Sequence, residues 1–147
     1  MSQCAVLAAL LLLQLTIGCA SRLSAVDGNP SEGRSSDTIT LLNALRVRGV
    51  QVELVGEVEQ PFLSVIGQMV RVNGEDVQLF AYQSAAEMEA QAARISPDGG
   101  TVGTSKFHWI GTPHFFKQAK LLVLYVGENG DLLRILSATL GRQFAGK

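Results

Sequence analysis

The sequence contains little cysteine, little histidine and no excess of charge of either sign. Its only cysteines are Cys4 and Cys19, so the rest of the chain offers no disulfide, thiolate nucleophile or cysteine-based zinc site. Twelve basic residues against 13 acidic ones give a net charge of −1, without long runs of one sign. Because nucleic-acid grooves and polybasic membrane patches need concentrated positive charge, we expect no nucleic-acid partner.

The first 18 residues have the pattern of a signal peptide. Residues 4–17 form a mainly apolar stretch that Gln14 interrupts, and small residues follow it. Such a stretch is typical of the apolar region of a signal peptide, and it is shorter than the ~20 apolar residues that cross a hydrocarbon core. We therefore expect residues 1–18 to be removed on export, with an uncleaved membrane anchor as the alternative.

The residues from Leu15 to Cys19 resemble the lipobox of bacterial lipoproteins, with Thr16 where Leu is usual. In that motif, small or aliphatic residues precede a cysteine that is acylated and becomes the mature N-terminus. The resemblance implies that Cys19 carries a thioether-linked diacylglycerol, with fatty acyl chains such as palmitate. Two or more acyl chains hold a protein on a bilayer almost permanently. An ordinary secreted product without lipid is a further alternative.

The segment after Cys19 predicts a tether. Residues 20–36 are rich in Ser, Gly and Asn and show no apolar periodicity, which is typical of a flexible linker. A coil of this length spans roughly 20–25 Å. The lipidated cysteine and tether, residues 19–36, are thus expected to hold one globular domain, residues 37–147, outside the cytoplasm. The sequence leaves open whether the membrane is an outer membrane or the outer face of a plasma membrane.

The domain is predicted to begin with a helix and a strand. Asp37 is placed to cap the helix, apolar residues recur at helical spacing after it, and Gly49 suits the left-handed position that ends a helix. Apolar and polar residues then alternate from Val50 to Leu54, which predicts a strand with one buried face.

Later patterns predict a hairpin, two helices and further strands. Asn73-Gly74 between two alternating runs indicates a type I′ hairpin, and Ser84 with Glu87 forms a capping box. Periodicity predicts strands over 107–110 and 121–126, the second covered on both faces, and a helix over 130–140. This order predicts an α+β domain whose sheet has about five strands, is mainly antiparallel and has helices packed on one face.

Residues 107–116 hold four of the nine aromatic residues and both histidines. Strand alternation places Phe107 and Trp109 on one face, which favours a position in the core under a helix. Exposure of the same segment on an edge strand would instead make a partner surface, since aromatic side chains supply contact area at small entropic cost. The residues singled out for that surface are Trp109, His114 and Phe115.

His108 and His114 are also candidates for chemistry, because they are the only histidines. A zinc or copper site built on them needs a further ligand, for example Asp98 or Glu128. A catalytic histidine without a metal is a second option. The alternative to both is a hydrogen-bonded structural or surface histidine.

Other chemical motifs are incomplete. The glycine-rich residues 98–104 follow a predicted helix and precede a strand, the reverse of a phosphate-binding loop, and they lack the lysine. No serine lies in a Gly-x-Ser-x-Gly turn. Glu57 and Glu59 lie two apart, so they either share an ion or a proton or form a solvated strand end. The sequence therefore assigns no catalytic residue, no cofactor and no metal site.

Four segments of the domain look like a group of small predicted bacterial lipoproteins with no assigned activity. These segments are residues 56–62, 72–78, 113–115 and 124–127. The resemblance covers nearly all of residues 37–146. It implies a common domain and carries over no catalytic residues.

Together these observations predict a lipid-anchored domain outside the cytoplasm that acts as a non-enzymatic binding or assembly module of the cell envelope. Its expected partners are the membrane, through the anchor, and an envelope protein or a small ligand. Two other functions fit the sequence. One is a small hydrolase or metal-dependent enzyme that uses His108 and His114. The other is a stress sensor or inhibitor that binds a partner by strand addition.

Overall fold

The computed structural model describes residues 30–146, with side chains from Ser36 onward, so the expected signal peptide and Cys19 lie outside the described residues. The described chain forms three helices, α1 (Pro30–Val47), α2 (Ala85–Ala92) and α3 (Gly130–Leu140). It also forms eight strands, β1 (Val52–Val58), β2 (Gly67–Val72), β3 (Glu75–Ala81), β4 (Thr101–Val102), β5 (Ser105–Lys106), β6 (Pro113–Gln118), β7 (Leu121–Val126) and β8 (Ala145–Gly146).

Six of these strands form one antiparallel sheet in the order β1-β2-β3-β7-β6-β8, and β4 pairs with β5 in a separate hairpin. The predicted α+β class and antiparallel sheet are confirmed. The sheet has one strand more than expected, because the short β8 pairs with β6. Two helices, α1 and α3, pack on one face as predicted, whereas α2 packs on the other.

The central strand β7 has the two buried faces that its apolar run predicts. Leu121, Val123 and Tyr125 pack with α1 and α3 in one core cluster. Leu122 and Leu124 point to the opposite face and pack with residues of α2 in a second cluster. The sheet therefore separates two hydrophobic cores, and each is buried without any disulfide.

The turn between β2 and β3 is the hairpin that the sequence predicts. Asn73 and Gly74 have φ angles of 50° and 89°, the left-handed values that a type I′ turn requires. The turn also holds the strand before it, because the backbone N–H of Asn73 donates to the Gln51 carbonyl at 3.0 Å. In return, the Gln51 N–H donates to the Asn73 side-chain oxygen at 2.9 Å.

Helix α1 begins earlier than the sequence predicted. It starts at Pro30, so residues 30–36 are helical where a flexible tether was expected, and Asp37 lies within the helix instead of capping it. Proline is favoured in the first turn of a helix because its missing N–H has no helical partner there. The predicted end is confirmed, since Gly49 follows the helix with φ 75°. None of the helices in the described part of the chain has the length and apolar character to cross a bilayer.

The other two helices begin as their sequences predict. The Ser84 side chain accepts a hydrogen bond from the Glu87 N–H at 3.2 Å, and the Glu87 carboxylate accepts one from the N–H of Gln83. Helix α3 has Asn129 as its N-cap, and Gly141 ends it with φ 87°. Both caps satisfy backbone groups that a helix end leaves without partners.

The predicted strand over residues 107–110 is wrong, because this segment is irregular. Hydrogen bonds to a neighbouring loop hold residues 107–110 in place, and the segment forms no hydrogen-bonded sheet ladder. The Phe107 N–H donates to the Gly100 carbonyl at 2.9 Å, and the Trp109 indole N–H donates to the Gly99 carbonyl at 2.8 Å. The strand begins only at Pro113, where the missing N–H costs no ladder hydrogen bond.

Candidate functional site

The residues expected at an aromatic partner surface are mostly in the core. Phe115 is fully buried and His114 is 5 % exposed, so neither is accessible to a partner. Trp109 is half-buried, and its ring lies 5.7 Å from Phe62 and 5.9 Å from Phe115. The partner surface proposed for Trp109, His114 and Phe115 is therefore corrected to a core position for the last two.

The two histidines are not brought together as one site. His108 is exposed, whereas both ring nitrogens of His114 already have protein partners. Its Nδ1 lies 2.8 Å from Gln143 Oε1, and its Nε2 lies 3.0 Å from the Gly127 carbonyl. No group of three metal-ligating side chains occurs among the residues that the structure describes.

The carboxylates that the sequence considered as ligands have local roles. Asp98 accepts hydrogen bonds from the Ser96 hydroxyl at 2.6 Å and from the Gly100 N–H at 3.0 Å, so it shapes the glycine-rich turn. Glu128 accepts a hydrogen bond from Thr112 at 3.1 Å. Glu59 is exposed just beyond β1, and Glu57 faces a groove next to that strand.

The strand β1 forms one free edge of the sheet, since it pairs only with β2. The hydrogen bonds between Gln51 and Asn73 show that odd-numbered residues at the start of this strand point their backbone groups toward β2. Because these groups alternate along a strand, the N–H and C=O of Val52 and Leu54 point outward. No hydrogen bond of the described chain uses the outward groups of these two residues, so they are open to another strand.

A groove of about 700 Å³ lies beside this edge, between α1 and the sheet. We call it the edge groove. Its helical wall includes Ile39 and Leu42, its floor includes Leu54 and Leu79, and Ile66 closes it from the loop before β2. Leu42 and Leu79 are core residues, so the groove runs directly onto the hydrophobic cluster under α1.

Three large aliphatic residues around the edge groove are exposed to an unusual degree. Ile39, Leu54 and Ile66 have 55 %, 57 % and 58 % of their surface exposed, and they come from three separate elements. Single exposed apolar residues are common, but a contiguous set that rims a concave surface marks an interaction site. This convergence makes the edge groove the candidate functional site.

Charged groups frame the edge groove. Glu57 and Arg46 line it, and no ion pair of the described residues engages either side chain. Glu53 points to the opposite face of β1, where it is paired in register with Arg71. Arg71 also binds Asp76 at 2.9 Å, and the hydrogen bond with Asp76 raises the pKa of Arg71. The groove therefore presents one carboxylate and one guanidinium, neither of them in an ion pair, next to its apolar floor.

Sequence reasoning did not find the edge groove. It read the alternation through Leu54 as a buried face, but α1 covers only Val50 and part of Val52. A signal was present, since Val55 breaks the alternation and the register shifts between Leu54 and Gly56. Such a bulge is common at sheet edges and next to functional sites.

Comparisons with known proteins give no relative for this chain. No protein-family model matches it, and no match was found among curated proteins or among solved structures.

Proposed function

We propose that this protein is a lipid-anchored, extracytoplasmic binding module whose edge groove takes an extended segment of a partner polypeptide. The observation that carries the proposal is the free edge of β1 lying beside an apolar groove. An added strand satisfies the outward backbone groups of Val52 and Leu54, and every second side chain of that strand enters the groove. The backbone contacts supply affinity, and the groove supplies specificity.

The charges indicate the chemistry of the partner segment. Glu53, Glu57 and Glu59 lie along or just beyond β1, so a segment with basic residues among apolar ones is favoured. A second copy of the chain is a poorer partner, because its β1 strand carries the same acidic residues and no basic one.

The anchor part of the proposal is supported by the sequence. The apolar leader and the lipobox-like residues before Cys19 are the features of an exported lipoprotein. A tethered binding module needs no nucleophile or metal, and both nitrogens of His114 are engaged in structural contacts. These points favour a non-enzymatic role over the hydrolase or metal enzyme that the histidines suggested.

The groove is tested with a short fluorescent peptide of alternating valine and lysine, titrated into the full chain in detergent by fluorescence anisotropy. We expect saturable binding, and at least about tenfold weaker binding of the matched valine–glutamate peptide. Leu54→Lys should weaken binding of the basic peptide by at least about tenfold, because it places a charge on the apolar floor. Equal affinity for the two peptides would contradict the proposed partner chemistry.

The control variant is Ile110→Lys. Ile110 is fully exposed and lies outside the edge groove, so this change makes the same replacement of an aliphatic side chain by a charge. We expect its affinity for the peptide to match that of the wild type. If Leu54→Lys and Ile110→Lys bind equally well while both remain folded by circular dichroism, the edge groove is not the binding site.

The anchor is tested separately by intact-mass measurement of the protein isolated from bacterial membranes. We expect a mature chain that begins at a lipid-modified Cys19, and a Cys19→Ser variant that carries no lipid. An unmodified Cys19, or a leader still attached, would overturn the anchor while leaving the peptide experiment unaffected.

A further inference from the structure

A second concave site lies on the other side of the loop that closes the edge groove. It has a volume of about 420 Å³ and opens between residues 61–64 and the β4–β5 hairpin. We call it the aromatic pocket. Its walls include Phe62, Phe107 and Val102, with Ser64, Ser105 and Arg94 as its polar members. A concave site that combines an apolar wall with a few convergent polar groups is a common form of small-ligand site.

The apolar wall is a packed set of aromatic rings. The Phe62 and Phe107 ring centroids lie 4.4 Å apart with their planes at 58°. The Trp109 ring lies 5.7 Å from Phe62 and 6.0 Å from Phe107. Helix α2 fixes this wall, since the Gln91 side-chain amide donates to the Phe62 carbonyl at 2.9 Å. The rings are therefore held in place before any ligand arrives.

Arg94 supplies the charge of the pocket. Its guanidinium forms no ion pair within the described residues, and no carboxylate lines the pocket. The β4–β5 turn packs against it, because a side-chain carbon at Gly103 would lie 3.2 Å from Arg94 Nη2. The backbone is tied there too, as the Gly103 N–H donates to the Arg94 carbonyl at 2.7 Å. An unpaired guanidinium beside apolar walls favours an anionic ligand.

A buried hydroxyl stands behind the polar side of the pocket. Tyr82 is 1 % exposed, and its hydroxyl makes no hydrogen bond of ordinary geometry. The Ser64 hydroxyl and the Arg94 guanidinium lie near it and lower its pKa, against the larger effect of burial. Burial raises the pKa of Tyr82 to about 12, so the hydroxyl remains a proton donor at neutral pH. The hydroxyl is buried behind the lining of the pocket, so it acts on the pocket only through its neighbours Ser64 and Arg94.

We propose that the aromatic pocket binds a small carboxylate that carries an aryl or branched aliphatic group. The carboxylate lies against Arg94 and accepts a hydrogen bond from the Ser64 hydroxyl. The apolar group packs against the wall that the Phe62 and Phe107 rings form. This site is independent of the edge groove, with which it shares only the loop residue Ser64.

The test uses 3-phenylpropanoate and its neutral amide, with the fluorescence of Trp109 as the signal. Trp109 is the single tryptophan of the chain and contacts the aromatic wall. We expect saturable binding of the acid and at least about tenfold weaker binding of the amide. Arg94→Gln should weaken binding of the acid by at least about tenfold and remove the preference for the acid over the amide. Arg134→Gln, an exposed arginine outside the pocket, is the matched control and should leave both affinities unchanged.

Two further binding measurements test the proposal. Ser64→Ala removes only the hydroxyl that donates to the carboxylate, so we expect weaker binding of the acid without loss of the folded state. A peptide that ends in a phenylalanine carboxylate tests whether a chain terminus supplies the same chemistry, and we expect weaker binding than for the small acid. No saturable signal, equal binding of acid and amide, tighter binding of the peptide, or unchanged affinity in a folded Arg94→Gln variant would overturn the proposal.

Discussion

His114 stacks on Tyr125 across the paired strands β6 and β7, with ring centroids 5.9 Å apart and planes within 19°. The two residues are direct partners in the antiparallel register. The Tyr125 hydroxyl donates to Glu75 at 3.1 Å and accepts the Asn129 N–H at 3.1 Å, while His114 reaches the Gly127 carbonyl. This buried pair therefore joins the hairpin, the central strand and the start of α3.

The first prediction is that His114→Ala destabilises the fold by about 2–4 kcal/mol. The change leaves a cavity next to Tyr125 and removes the partner of the half-buried Gly127 carbonyl. His108→Ala is the control, because His108 is exposed, and its effect should stay within about 0.5 kcal/mol. Urea denaturation followed by circular dichroism measures both. Similar midpoints for the two variants would show that the His114 network adds no stability.

The second prediction concerns a glycine on which an aromatic ring rests. A side-chain carbon at Gly67 would overlap the Phe80 ring and lie 2.9 Å from the Leu79 carbonyl oxygen. Because Phe80 is fully buried, Gly67→Ala should cost about 1–3 kcal/mol. Gly130→Ala meets no atom within 4 Å at the start of α3 and should be neutral or stabilise by about 0.5 kcal/mol. A shared midpoint in urea would show that Phe80 moves aside freely.

The elements that the sequence predicted correctly are those fixed by local chemistry. Asn73 and Gly74 specify their turn because both adopt left-handed φ angles. The apolar run of β7 predicts a strand with two buried faces, and both faces are buried in the structure. The cap at Ser84 depends on a group only three residues away. Such features need no knowledge of the tertiary structure.

The candidate site depends on packing that no local pattern contains. Leu54 alternates like a buried residue, and its exposure follows only from where α1 crosses the sheet. The sequence left His114 available for chemistry, whereas in the structure its Nδ1 lies 2.8 Å from Gln143 Oε1, 29 residues along the chain. The strand expected at residues 107–110 is absent for a related reason. The Trp109 indole N–H donates to the carbonyl of Gly99 in a loop, and the segment joins no sheet. Long-range partners decided each case.

The third prediction concerns the cap of α3. The Asn129 side chain accepts hydrogen bonds from Asp131 and Leu132 through its oxygen and donates to Glu75 through its nitrogen at 3.2 Å. Asn129→Ala should cost about 1–2 kcal/mol. Aspartate is normally an equally good cap, yet Asn129→Asp should also destabilise, because its carboxylate faces that of Glu75.

A second substitution, at Glu75, separates the loss of the cap hydrogen bonds from the repulsion between the two carboxylates. In the Asn129→Asp background, Glu75→Gln removes the repulsion and should recover most of the lost stability, whereas in the Asn129→Ala background it should recover none. Urea denaturation of the four variants measures this coupling. Equal effects of Glu75→Gln in both backgrounds would show that Asn129 and Glu75 act independently.

The fourth prediction is a loss of stability in alkali that depends on Tyr82. Burial raises the pKa of Tyr82 from 10.0 to about 12, so between these values the unfolded chain loses this proton while the folded chain keeps it. Stability should therefore fall as pH rises through this window, by about 2–3 kcal/mol from this residue, and be unaffected by it below pH 10.

Tyr82→Phe should match or exceed the stability of the wild type near neutral pH, because it removes a buried hydroxyl without an ordinary hydrogen bond. The stability of Tyr82→Phe relative to the wild type should then increase as pH rises to about 11.5. Both proteins should still lose some stability with rising pH because of Tyr125, whose pKa burial also raises. Urea midpoints across this range measure the difference, and parallel curves for the two proteins would show that the Tyr82 hydroxyl ionises as readily in the folded chain as in the unfolded one.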